Sequence, residues 1–500
     1  MFTYPPSPIL PARLWESSGF CEKRPVSPRQ GKVSRWVLPL ALLMVLPLLL
    51  ASGGPGVTDP TSTSFQWTET CPFKVGEGIT VGREVSCGIL TVPENRSRPT
   101  GRSIQLAVAL FKTSEASDTI PIIRLEGGPG GSALKIFGEQ ITKKNLSQTL
   151  LSHNWILVDQ RGTGYSKPSL TCPEIRQARD ATADASDQEQ EKAQARAIQN
   201  CHRRLTEQGI DLSAYNSLEN AADIHDLIQA LGYPQVTLYG DSYGSRLALT
   251  TMRIAPQGIR SVILDGVYPP QVEYSINASQ AIETLLYKCV TNMTCKQKYP
   301  NLVQEYGETV NMLNEKPLRF EMKSEATGKI IRHRVTGNDF SAVVFQLLYS
   351  TPLIPYLPAL IHQTRKGDNQ LLVALFRLID TVPETIDWGM FYSVECSERF
   401  SDPCPTWKVP KVPAEQKSPV VSSIPTLLLT GEYDPITPQQ DAEAAARTLS
   451  KSYEFVLPGA GHVVLGTSLC ANQIITSFVD DPTRNPTASC LNQLGEPAFV

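Results

Sequence analysis

Four short, strongly apolar runs, at 120–125, 155–159, 235–239 and 259–265, constrain this chain more than any other feature. Each is bounded by Gly or Asp, and stretches of helical spacing separate them. Runs apolar at nearly every position suit strands buried on both faces of a parallel sheet, because the crossover helices cover both sides. Between two of them, residues 221–231 place apolar side chains three and four apart, and Gly232 follows as a stop. This alternation predicts an α/β fold with a mostly parallel central sheet and helices on both faces. Ahead of it, residues 84–113 alternate apolar and polar around a turn at 95–101, which reads as an antiparallel hairpin of two edge-like strands.

The rhythm breaks between Pro269 and about Pro419, where helical periodicity (340–349, 371–379) is cut by prolines. It resumes with an apolar run at 425–430, a helix over 438–449, a strand at 453–457 and a last helix over 471–479. The expected organisation is therefore one core in two parts, 70–268 and 420–500, with a helical cap insertion at 269–419. The stretch 172–204, rich in Gln, Ala and acidic residues, reads as a solvated helical excursion.

Residues 1–53 read as a signal peptide or amino-terminal anchor. A basic leader precedes the apolar run 37–50, which is shorter than the roughly 18 to 20 residues that span a bilayer and is broken by Pro39 and Pro47. The body is thus expected to be exported, to a periplasm or the cell exterior, with membrane contact only through that segment. Of 11 Cys, Cys21 precedes the run. The other ten form close sequential pairs: Cys71 with Cys87, Cys172 with Cys201, Cys289 with Cys295, Cys396 with Cys404, and Cys470 with Cys490, each able to staple one loop. No C-x-x-C spacing suggests a metal. Sequons stand at Asn95, Asn145, Asn277 and Asn292. With 46 Lys plus Arg against 49 Asp plus Glu, the chain lacks the basic footprint of a nucleic-acid binder.

Gly240-Asp241-Ser242-Tyr243-Gly244 follows the third apolar run and opens a helical stretch. That is the context of a nucleophile elbow, in which a Ser on a sharp strand-to-helix turn needs small neighbours two positions away on either side. A nucleophilic Ser242 needs a base and an orienting acid, in the chain order Ser, acid, His. Of six His, three precede Ser242, and His333 and His362 lie in the inserted region as ordinary polar positions. His462, in the glycine-flanked loop after the 453–457 strand, is the candidate base. Asp434, directly after the 425–430 run, is the candidate acid, with Asp265 as competitor and Glu432 less well placed. The oxyanion hole is expected from the amides of Tyr243 and Gly128, the latter in the glycine-rich loop 126–132, since only glycines bring a main-chain N–H so close to a substrate carbonyl. The G-x-x-x-x-G-K pattern of a phosphate-cradling loop is absent.

The set G-G-P-G-G-S (127–132), D-Q-R-G-T-G-Y-S (159–166), G-D-S-Y-G (240–244), G-E-Y-D-P-I-T-P (431–438) and G-A-G-H (459–462) resembles the α/β-hydrolase peptidases of the proline iminopeptidase and tripeptidyl aminopeptidase family, in its exported branch. The resemblance spans about 70–495. It implies an α/β-hydrolase fold and a serine exopeptidase that removes one residue or a short peptide from a free amino terminus under a helical cap, with no metal or organic cofactor. Proline iminopeptidases carry His where this chain has Glu126, a carboxylate that either helps hold a substrate ammonium or pairs with Arg161. Glu395 and Glu398 are further candidates for the ammonium, the resemblance pointing to Glu398; the alternative is a solvated acidic loop. The competing readings are an exported carboxylic ester hydrolase with the same triad and a catalytically silent binding module.

Overall fold

The computed structural model describes residues 63–98, 101–113, 120–273, 278–324, 328–381, 385–399 and 406–500. The segment 1–53, the Asn277 sequon and Cys404 lie outside them. The described residues form eleven strands: β1 (Ser64–Thr68), β2 (Val85–Pro93), β3 (Ser103–Phe111), β4 (Ile122–Leu125), β5 (Trp155–Val158), β6 (Val236–Asp241), β7 (Ile259–Asp265), β8 (Leu318–Lys323), β9 (Ile330–Val335), β10 (Thr426–Gly431) and β11 (Ser452–Leu457). Nine of them form one sheet in the order β1-β2-β3-β5-β4-β6-β7-β10-β11. Pairing is antiparallel from β1 through β5 and parallel from β5 through β11.

The four apolar runs became β4 to β7, and side chains alternate along the strands between two cores. Leu428 of β10 and Val262 and Leu264 of β7 pack on one side, while Leu427, Leu429 and Ile263 pack on the other. The expected hairpin forms as β2 and β3, but neither is an edge strand. β1 covers the free side of β2, and β3 pairs onward with β5, which accounts for the buried residues on both faces of β3. The chain leaves β4 in one direction to β5 and then crosses to the other side as β6, so the strand order reverses between β4 and β6. In an open α/β sheet the crevice at the carboxyl ends of such a pair is where ligands bind.

The helix Ser217–Leu231 is capped by the Asn216 side chain, which accepts from the Glu219 amide, and ends at Gly232 with φ +71°. The described residues between β7 and β10 are mainly helical but also contain the β8/β9 antiparallel hairpin. They build a third apolar cluster that includes Phe340, Val344, Leu348 and Leu360 and takes in Tyr433, Ile436 and Phe499 from the core's carboxyl-terminal part. The excursion forms the helices Pro173–Ala181 and Asp187–Glu207. It does not stand free in solvent: Arg334 pairs with Asp187 at 2.7 Å, Arg319 with Asp184 at 2.9 Å and Arg176 with Asp380 at 3.2 Å, tying it to the insertion. Disulfides join Cys71 with Cys87, Cys172 with Cys201, Cys289 with Cys295, and Cys470 with Cys490. Among the described residues no helix is long and apolar enough to cross a membrane.

The helix Tyr243–Ile254 approaches β4 closely at Gly244, where a Cβ would sit 1.8 Å from the carbonyl oxygen of Leu125. Gly244→Ala must push the helix Tyr243–Ile254 away from β4, and we expect a loss of about 3 kcal/mol of stability, read by urea denaturation.

Candidate active site

Ser242 stands between β6 and the helix Tyr243–Ile254 with φ +54° and ψ −123°, a region that non-glycine residues occupy at a cost of about 1–3 kcal/mol. The surroundings hold it there. A Cβ on Gly240 would lie 2.2 Å from the Gly244 carbonyl oxygen, so the two glycines let strand and helix touch across the turn. The Ser242 amide donates to the Asp265 carbonyl at 2.9 Å, fastening the elbow to the end of β7.

The loop after β4 leans on the same serine. A Cβ on Gly127 would be 2.9 Å from Ser242 Cβ, and Gly128, with φ +118°, occupies backbone space open only to glycine. The amides of Gly128 and Tyr243 have no acceptor among the described residues. Tyr243 is the first residue of its helix, where the N–H groups and the dipole both favour negative charge.

On the far side of β7, His462 Nδ1 lies 2.8 Å from Asp434 Oδ2. Asp434 is filled by further donors: the amides of Ile436 at 3.0 Å and Thr437 at 2.9 Å on Oδ1, and the Thr437 hydroxyl at 2.7 Å on Oδ2. A carboxylate facing Nδ1 places the ring proton there, leaving Nε2 with an open lone pair. Serine and imidazole flank one pair of residues. Asp265 receives the Ser242 amide, and a Cβ on Gly266 would lie 3.0 Å from His462 Cε1.

Asp265, the competing acid, is occupied elsewhere. Its carboxylate accepts the amides of Val464 and Leu465 at 2.8 and 3.0 Å and the Tyr239 hydroxyl at 2.6 Å, and so holds the loop just past the histidine. Glu432 accepts the Gly459 amide at 3.0 Å and pairs with Lys288 of the insertion. His362 pairs with Glu305 at 2.8 Å, and His333 stacks on Phe320.

Glu126 does not meet Arg161. The Arg161 guanidinium is engaged in a fork by Asp223 at 2.7 and 2.8 Å, while Glu126 pairs with Arg124 at 2.9 Å. Arg124 also reaches Asp241 at 3.3 Å, so one fully buried cation serves two buried carboxylates directly beneath the elbow and the glycine-rich loop. Burial, with Glu126 beside it, pushes the Asp241 carboxyl well above its usual range despite Arg124.

Glu395 and Glu398 lie on the helix Trp388–Glu398 and are buried, not part of a solvated loop. Glu395 pairs with Arg399 at 2.5 Å, and burial raises its carboxyl. Glu398 pairs with Arg246 at 3.0 Å and accepts the amide and hydroxyl of Ser217 at 2.7 and 3.0 Å. The Ser217 hydroxyl in turn meets the Tyr243 hydroxyl at 2.8 Å, so a polar chain runs from Glu398 to the residue after Ser242.

Several residues at this rim went unforeseen. Asp159 accepts the Ser132 hydroxyl at 2.8 Å and the amides of Leu134 at 3.0 Å and Tyr165 at 2.7 Å; burial pushes its carboxyl up to about 7. Its place at the end of an apolar run was the available signal. From the insertion, the Asp387 amide donates to the Gly130 carbonyl at 2.9 Å, and Ile386 Cδ1 lies 3.2 Å from where a Gly128 Cβ would be. Tyr349 and Thr351 meet the histidine loop. Nothing in the spacing of the inserted segment marks these four.

A family model for the alpha/beta hydrolase fold matches residues 120–293, and one for TAP-like proteins matches 390–490. Over 211 residues the chain is 28% identical to the tripeptidyl aminopeptidase of Streptomyces lividans, covering 40% of this chain and 39% of that one. It is 23% identical over 536 residues to the serine protease Hip1 of Mycobacterium bovis, covering 92% and 98%, and 21% identical over 472 residues to the putative hydrolase YuaR of Escherichia coli, covering 81% and 88%. The match to the tripeptidyl aminopeptidase thus spans about two fifths of that protein.

Arg124→Met strips the shared cation from Glu126 and Asp241, and we expect it to cost about 3–5 kcal/mol at neutral pH. A buried carboxyl with a raised pKa keeps its proton in the fold at pH values where the unfolded chain, near 3.8, has released it, so its contribution to stability falls as pH rises above that value. Urea denaturation should therefore show a smaller deficit in the variant at pH 5 than at pH 7.

Proposed function

We propose, from the premise that this chain belongs to the α/β hydrolases of the tripeptidyl aminopeptidase family, that it is a serine peptidase acting on free peptide amino termini through Ser242, His462 and Asp434. The observation that carries this reading is the contact between His462 Nδ1 and Asp434 Oδ2 at 2.8 Å, on the same rim as a serine with φ +54°.

His462 Nε2 takes the proton of Ser242 Oγ as that oxygen attacks the scissile carbonyl. Asp434 holds the Nδ1–H tautomer and stabilises the imidazolium that forms. The amides of Gly128 and Tyr243 receive the developing oxyanion, where each such donor is worth about 10² to 10³ in rate. The C–N bond breaks as His462 returns the proton to the leaving amine. A water then gives its proton to His462 Nε2 and attacks the acyl carbonyl, and the bond from that carbon to Ser242 Oγ breaks as His462 returns the proton to the serine oxygen, freeing the acid.

An ammonium needs negative charge as it leaves water. Glu395 and Glu398 supply it at the carboxyl end of the helix Trp388–Glu398, whose dipole adds to them. Arg246 and Arg399 already face these carboxylates, so a substrate amine joins a mixed cluster and does not meet a bare charge. Glu126, tied to Arg124 beneath the glycine-rich loop, is left out of that role. The insertion, carrying this helix and Ile386 beside Gly128, is the cap that limits substrate length. The disulfides among the described residues support export, since such bonds persist in oxidising compartments.

Product analysis of matched peptides with free and acetylated amino termini tests the reading. Cleavage of the free peptides from the amino end is expected, with little of the acetylated ones; equal rates, or action on esters alone, would make it an ester hydrolase. Ser242→Ala should remove activity and fluorophosphonate labelling together. Asp434→Asn, which keeps the shape but favours the wrong tautomer, should lower kcat by about 10⁴.

A further inference from the structure

We propose that the corner at residues 349–351, where the helix Gly337–Leu348 leaves its axis, is the positioning element for the imidazole of His462. The inserted segment then sets the base geometry as well as substrate access. The proposal rests on the reading of His462 as the base.

The histidine loop is held on three sides. The core holds Nδ1 through Asp434, and beyond the histidine Asp265 holds the Val464 and Leu465 amides. Between these anchors Val463 adopts φ +64°, so the chain turns sharply just past the histidine and needs a counterforce ahead of it. That counterforce comes from the insertion. The Gly461 amide donates to Thr351 Oγ1 at 2.9 Å, the His462 amide donates to the Tyr349 carbonyl at 3.1 Å, and the Tyr349 ring meets the imidazole at 5.1 Å and 73°.

Gly461 makes this approach possible, since a Cβ there would lie 2.4 Å from the Leu348 carbonyl oxygen and 2.9 Å from that of Tyr349. The backbone amide of the histidine and that of the residue before it thus both end on the insertion. A base must sit within hydrogen-bond reach of the proton it takes, so a loop free to shift by an ångström loses rate without losing substrate. Thr351 touches no reacting atom in this scheme; it acts through the Gly461 amide.

The test compares Thr351→Val, which keeps the shape but removes the acceptor, with Thr351→Ser, which keeps the acceptor. Each is measured for kcat and KM on a cleaved peptide, for the rate of fluorophosphonate labelling of Ser242, and for its urea midpoint. T351V should lower kcat about tenfold with KM unchanged and slow labelling in proportion, while T351S stays within about twofold of the parent. Equal loss in both variants, or none in T351V, overturns the proposal. Should T351V unfold, T351A, which cannot overpack, carries the same comparison. His462→Ala separates the two readings: full activity in that variant would sink the assignment of the base itself, whereas loss there with an indifferent T351V would sink only the positioning role.

Discussion

The close approach of the helix Tyr243–Ile254 to both β4 and β6 is the constraint on which the rest of the rim depends. Side chains at 240 or 244 would collide with main-chain oxygens, at 2.2 and 1.8 Å, so glycine at both positions sets the depth at which the turn sits. With the helix that deep, residue 242 takes a positive φ and Tyr243 begins the helix directly after it. The glycine-rich loop after β4 reaches the serine only because Gly127 adds no atom between them. The strain at one residue is small beside the burial around it, and the parallel strands on both sides keep it from relaxing.

Beneath that rim the chain buries more charge than an apolar core tolerates unpaired, and three of the buried carboxylates hold main chain. Asp159 takes the Ser132 hydroxyl at the end of the glycine-rich loop and the amides of Leu134 and Tyr165, Asp265 takes amides past the histidine, and Asp434 takes amides of its own turn and meets Nδ1. Carboxylates at the carboxyl ends of parallel strands are suited to this, because the loops that leave there present unpaired N–H groups. Two buried cations have carboxylate partners of their own: Arg124 pairs with Glu126 and Asp241 under the elbow, and Arg161, in the loop after β5, pairs with Asp223.

The inserted segment is part of this architecture and not an appendage to it. Asp387 pins Gly130, residues 349–351 pin the histidine loop, and Lys288 meets Glu432, which in turn holds the Gly459 amide. The glycine-rich loop and the histidine loop are therefore fastened from above by the insertion and from below by the sheet. The apolar cluster shared between insertion and core, with Tyr433 and Ile436 among its members, keeps those fastenings in register.

The alternation of apolar runs and helical stretches was legible along the chain, because a strand buried on both faces must be apolar at consecutive positions and a helix after it must be so every third or fourth. The elbow glycines and the order of Ser242, Asp434 and His462 were legible for a similar reason: small residues and strand ends are local properties. What the residues could not carry was partnership at long range. Whether Glu126 faces Arg124 or Arg161, whether β2 is an edge, and which insertion residues reach the histidine depend on how segments far apart in sequence pack. Periodicity reports which face of an element is buried, and only the folded chain decides what that face is buried against.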